Sequence, residues 1–218
     1  MIKTTIVGYG EPDVRLLETY SYRLDNYLPI YYPAISWHVY KVALKEPTTR
    51  ELLRRLEEKV LCHHPNIILV HISSKDSCIL GHHLINLKEF EENIEELVRN
   101  IEGHNNRTGL NGCKGIPVLI TPPPVRESVQ GIGRTNNRLK QYVYVVKQIA
   151  KNHNLPLIDL FHLLLQKEDG ENYLAEDGIN LNQKGQDLLY DMIFVELTKL
   201  INYQGVLKER QPLEEEEE

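Results

Sequence analysis

No stretch of this 218-residue chain stays apolar over the roughly 20 residues that a bilayer-spanning helix requires. The start, Met-Ile-Lys-Thr-Thr-Ile-Val, runs directly into a strand pattern without the sectors of a cleavable signal. Cysteine is scarce: Cys62, Cys78 and Cys113, an odd number at unrelated spacings, describe no disulfide framework and fit a reducing compartment. These absences lead to the expectation of a cytoplasmic protein. Basic stripes interleaved with aromatics are missing, as is any helix with a Lys/Arg face, so neither nucleic acid nor a membrane is expected as a partner. The net charge of −6 is concentrated in one place, because Glu214 to Glu218 supply five negative charges and leave about −1 on the rest. Cys78 with His82 and His83 lacks the paired spacing and fourth ligand of a zinc site, so no metal or cofactor is expected.

What is present is 41% apolar residues, enough for one substantial core. We expect one domain over residues 1–203 and a charged, disordered tail over 204–218. Apolar runs alternate with helical periodicities, the pattern of a parallel sheet covered by helices. Strands are predicted at Thr4 to Gly8, Trp37 to Ala43, Asn66 to Ile72, Ile116 to Ile120 and Leu155 to Asp159. A helix is predicted from Val14, Leu16, Leu17, Tyr20, Leu24 and Leu28, and a second from the capping box Thr48/Glu51 onward. A third follows Asn86, a long one carries Leu139 to Ile149, and the last spans Leu181 through Ile201. Gly103 to Gly115, rich in Gly and Asn, reads as a surface loop. The fold class is therefore a three-layer α/β/α domain with a five-stranded parallel sheet, whose site is expected at the carboxyl ends of its strands.

The stretch Tyr173-Leu174-Ala175-Glu176-Asp177-Gly178-Ile179-Asn180-Leu181, with Lys184-Gly185 opening the last helix, resembles the closing motif of the SGNH (GDSL-type) esterases. Thr48-Thr49-Arg50, His64-Pro65-Asn66, Asp76-Ser77 and Ile120-Thr121-Pro122-Pro123-Pro124 resemble the same family in the right order, nearest the branch of isoamyl acetate-hydrolysing esterases. The resemblance implies a flavodoxin-like fold and a Ser-His-Asp ester hydrolase. It also implies that the functional positions have changed. Gly8-Tyr9-Gly10 stands where Gly-Asp-Ser is expected, which puts Gly10 at the nucleophile. Glu46 stands at the oxyanion glycine, Lys75 at the oxyanion asparagine, and Asn180 at the histidine three residues after Asp177.

Acyl transfer needs a nucleophile, a base to activate it, and donors aimed at the developing oxyanion, each donor worth about 3 to 4 kcal/mol. A glycine, a carboxylate and a neutral amide supply none of these. Glu46 and Lys75 are expected to pair and fill the oxyanion space, and Asp177 to bond Asn180 or Lys75. The pocket is expected to be lined by Tyr9, Ser73, Ser74, Asp76, Thr121 and Pro123, with the proline run as a rigid wall. His71 reads as a core histidine, and His63-His64 as residues favouring the C-terminal dipole of the second helix. Ser73 and Ser74 read as turn and cap residues rather than nucleophiles. The resulting expectation is a protein that binds a small acyl or sugar ligand, or a protein partner, in a former active-site cleft. The alternative is an ester hydrolase using non-family residues, with Glu46, Asp76, Asp177 or His71 as its base; a third is a purely structural subunit.

Overall fold

The computed structural model describes residues 2–11, 18–80, 84–104 and 114–202. Five strands, β1 (Ile2–Glu11), β2 (Ile35–Ala43), β3 (Ile67–His71), β4 (Ile116–Ile120) and β5 (Leu157–Ile158), form one sheet in the order β2-β1-β3-β4-β5. Every pairing is parallel. The chain steps outward from β1 to β2 and then crosses back to β3, so the crevice between the ends of β1 and β3 is the topological switch point.

Among the described residues seven α-helices accompany the sheet: α1 (Tyr20–Tyr31), α2 (Thr49–Lys59), α3 (Leu87–Gly103), α4 (Glu127–Gln130), α5 (Asn136–Asn152), α6 (Leu160–Leu165) and α7 (Gln183–Asn202). Alternate residues of each strand feed separate cores. Ile67 and Leu69 pack with Leu24, Leu28, Leu189 and Ile193 beneath α1 and α7, whereas Ile68 and Val70 pack with Leu52, Phe90 and Val146 beneath α2, α3 and α5. That two-sided burial explains why β3 is a continuous apolar run.

The helix starts follow their local chemistry. Thr48 accepts from the Glu51 N–H while the Glu51 carboxylate accepts from the Thr48 N–H, closing the capping box of α2. Asn86 caps α3 by accepting from the Glu89 N–H at 3.0 Å. β5 is shorter than its sequence pattern, because Asp159 ends it by capping α6 through the His162 N–H. The sequence reading passed over α6, although an Asp ahead of an apolar run was its signal. Among the described residues no helix is long and apolar enough to cross a membrane. The expected positions Val14, Leu16, Leu17, His82, His83 and Cys113, most of the Gly103 to Gly115 loop, and the tail over 204–218 lie outside the described residues.

Leu69 is fully buried in the central strand, so Leu69→Ala is expected to cost about 2 to 5 kcal/mol of unfolding free energy in urea titrations. Thr48→Ala, which removes a cap but no core volume, is expected to cost about 1 kcal/mol in the same assay.

Candidate functional site

The carboxyl ends of the strands converge on a cleft lined by Gly10, Glu46, His71, Ser73, Ser74, Pro122, Pro123, Ile179 and Asn180. Its volume is about 30 Å³. That is room for no more than one or two water-sized groups.

At the end of β1 the chain makes a bulge between Tyr9 and Glu11, and Gly10 takes a φ of +79°. A Cβ on Gly10 would lie 2.5 Å from the His71 carbonyl oxygen and 3.2 Å from the Leu52 side chain. The backbone here is closed to any side chain. Tyr9, expected to line the pocket, instead follows Val7 into the core beneath α2, where its hydroxyl donates to the Leu52 carbonyl and burial pushes its phenol above the ordinary range. A tyrosine two residues from a core valine on a strand must share its face.

Past β2, Glu46 sits in the left-handed region at φ +45° and accepts a hydrogen bond from Arg134 Nη1 at 2.5 Å. Glu46 therefore does not pair with Lys75. Arg134 arrives from just ahead of α5, where Thr135 is the cap, and its Nη1 also lies 3.4 Å from the Ser74 hydroxyl. Lys75 turns into a short 3₁₀ segment, Lys75–Ser77, with its N–H donated to Ser73 Oγ. The sequence carried no local signal for Arg134, which lies 88 residues from Glu46.

Past β3, His71 is 4% exposed, and its Nδ1 has no hydrogen-bond partner among the described residues. Burial lowers its pKa to about 4 and keeps the ring neutral at pH 7. The Ser73 hydroxyl donates to the Pro47 carbonyl at 2.7 Å and accepts from the Lys75 N–H, so it is committed on both sides. Asp76 does not line the cleft. It is buried against the start of α2, accepting from the Thr49 N–H at 3.1 Å and the Thr49 hydroxyl at 2.8 Å. Burial raises its pKa to about 6, with the Thr49 bonds opposing the rise.

Past β4, Thr121 is also buried away from the cleft, its Oγ1 accepting from the Phe161 N–H at 3.0 Å. Pro123 remains on the cleft wall, beside Pro122. The Asp177 carboxylate accepts from the N–H groups of Ile179 and Asn180 at 3.0 and 2.9 Å and from Asn180 Nδ2 at 2.6 Å. Partial burial would raise its pKa, but these donors outweigh burial and hold it below the usual range. The expected Asp177–Asn180 contact is thus formed, and the cleft brings together Gly10, Glu46, Ser73, Ser74, Pro123 and Asn180 while leaving Tyr9, Asp76 and Thr121 in the interior.

A family profile for the GDSL-like lipase/acylhydrolases matches residues 5–188. The chain is 27% identical over 168 residues to the isoamyl acetate-hydrolyzing esterase of Saccharomyces cerevisiae, covering 71% of this chain and 64% of that protein. It is 25% identical over 130 residues to the human isoamyl acetate-hydrolyzing esterase 1 homolog, covering 54% and 48%. The match thus spans about half to two thirds of these relatives' own length. Among solved structures, a lipase/acylhydrolase from Enterococcus faecalis superposes with a TM-score of 0.72 at 25% identity, covering 97% of this chain and all of that one. An acetylxylan esterase from Geobacillus stearothermophilus shares the fold with a TM-score of 0.68 at 22% identity, covering 90% and 94%.

The two buried titrating groups predict opposing pH dependences. His71, at about 4 folded against 6.5 free, binds fewer protons in the folded state, so its contribution is complete above pH 6.5 and is lost as pH falls toward 4. Asp76, at about 6 against 3.8, binds more protons folded, so its contribution is complete below pH 3.8 and is lost as pH rises through 6. Urea titrations at pH 4 and pH 7 should show Asp76→Asn losing more stability on acidification than wild type, by up to about 3 kcal/mol. His71→Gln should lose correspondingly less.

Proposed function

The chain belongs to the GDSL-like lipase/acylhydrolase family, and from that premise we propose that it is a member without ester-cleaving chemistry, a pseudoenzyme that serves as a binding protein. The observation that carries this reading is the Gly10 backbone. In our reading of the motif, Gly10 takes the place of the family's serine, and it is a glycine at φ +79° with the His71 carbonyl 2.5 Å from where its Cβ would stand. A serine at Gly10 would carry both backbone strain and a steric clash, which supports this reading.

The other positions support the same reading. Asn180 offers an amide to Asp177 in place of an imidazole, and an amide is no base at usable pH. Glu46 holds a left-handed conformation and places a carboxylate at the cleft, where a developing oxyanion would be repelled. Arg134 neutralises that carboxylate rather than an acyl group. In this reading the partner is a small acyl-type or sugar-derived ligand at the cleft or a protein seated over it, and the protein works in the cytoplasm.

A second reading, hydrolysis through non-family residues, is favoured by His71, which lines the cleft with Ser73 and Ser74 and whose Nδ1 has no hydrogen-bond partner among the described residues. Against it, an imidazole with a pKa near 4 is a weak base at neutral pH, and the Ser73 proton is already donated to Pro47.

Intact-mass analysis after a fluorophosphonate probe, with hydrolysis of short aryl esters and isoamyl acetate followed in the same sample, separates the two. The expected result is no adduct and no turnover above buffer. A stoichiometric adduct on Ser73 or Ser74 would establish the second reading instead.

A further inference from the structure

Glu46 holds an unfavourable backbone conformation in order to place its carboxylate. Its φ of +45° disfavours any residue with a Cβ. What fixes the carboxylate there is Arg134, a largely buried residue that contacts the cleft through Glu46 and Ser74. A buried guanidinium stays charged and requires an anion opposite it. Beside it stands the buried Ser74 hydroxyl, 3.4 Å from Nη1, and the same cleft is lined by His71, whose Nδ1 has no hydrogen-bond partner among the described residues.

We propose that this cleft is a recognition site for a small carboxylate, which the chain fills with the carboxylate of its own Glu46. The proposal rests on the non-catalytic reading, since a site that turned over esters would release a carboxylate rather than hold one.

Three features fit a site of this kind. The Glu46 contact runs from one guanidinium nitrogen to one oxygen, whereas an untethered carboxylate can take the two-pronged geometry that a guanidinium prefers. The pair is asymmetric: the Glu46 side chain is 28% exposed and that of Arg134 10%, so Glu46 is the member free to leave toward solvent. His71, which burial keeps neutral at pH 7, lines the cleft without adding a charge that would compete with the guanidinium. The residual volume of about 30 Å³ sets the size of the ligand. With Glu46 in place the space is too small for acetate, so a short carboxylate would have to take the place that the Glu46 carboxylate now occupies.

The variant Glu46→Gly removes the tethered carboxylate and suits the backbone at that position. Thermal unfolding of wild type and Glu46→Gly is followed against sodium acetate, with sodium chloride as the ionic control. The expected result is an acetate-dependent rise in Tm for Glu46→Gly that chloride does not reproduce, with apparent affinity at least ten-fold above wild type. Glu46→Gly/Arg134→Met, which removes both charges together, should lose the response. A folded Glu46→Gly that responds to acetate no better than to chloride would overturn the proposal, as would a response surviving in the double variant. If Glu46→Gly does not fold, Glu46→Gln is read by the same criteria. Aryl-ester turnover is measured in the same samples. Turnover by Glu46→Gly would overturn the non-catalytic reading beneath the proposal, whereas a missing acetate response without turnover would overturn the carboxylate site alone.

Discussion

The approach of Gly10 to the carbonyl of His71 governs what the rest of the cleft can do. β1 and β3 are neighbours at the switch point of the sheet, and that crevice is where a doubly wound fold offers a site. In this chain the crevice is closed at its floor: the bulge after Tyr9 brings the β1 backbone against β3, and only a residue without a Cβ fits. The groups above that floor are then arranged around one another. Glu46 answers Arg134, Asn180 answers Asp177, and Ser73 answers Pro47. Among the described residues, these polar groups of the cleft satisfy one another, which stabilises the cleft and is the basis of the non-catalytic reading proposed above.

The frame beneath the cleft is held by contacts independent of chemistry. Asp76 is buried against the first turn of α2, where a carboxylate is favoured by the unsatisfied N–H groups, and it fixes that helix to the end of β3. Thr121 does the same for α6 through the Phe161 N–H, and Asn66 joins β3 to β1 by accepting from the Thr5 N–H at 2.8 Å. Such buried polar bonds tie strand ends to helix starts. They hold the architecture of the family by contacts that do not depend on the cleft residues.

Much of the fold was legible because its signals are local. The capping box at Thr48 and Glu51, the Asn86 cap, and the two-sided apolar run of β3 each announce an element within a few residues. The cleft was only partly legible. Motif spacing brought Gly10, Glu46, Ser73, Ser74, Pro123 and Asn180 to one edge, because strand ends in a parallel sheet must gather there. Side-chain direction was the weaker inference. Tyr9 and Thr121 turn inward, and strand alternation with Val7 was the signal that could have placed Tyr9. The partner of Glu46 was illegible in principle, since Arg134 is distant in sequence and meets it only once α5 has packed. Lys75 had the right charge and a nearby position, but its 3₁₀ turn takes it elsewhere.

The most direct test of the central claim is the unfolding free energy of Gly10→Ser, measured in urea and paired with fluorophosphonate labelling of the same variant. A serine at φ +79° against the His71 carbonyl carries both backbone strain and overpacking. Destabilisation by about 2 to 5 kcal/mol, with no labelling, is the predicted result. A variant as stable as wild type that takes up the probe would contradict the account, because the floor of the cleft would then admit a nucleophile after all.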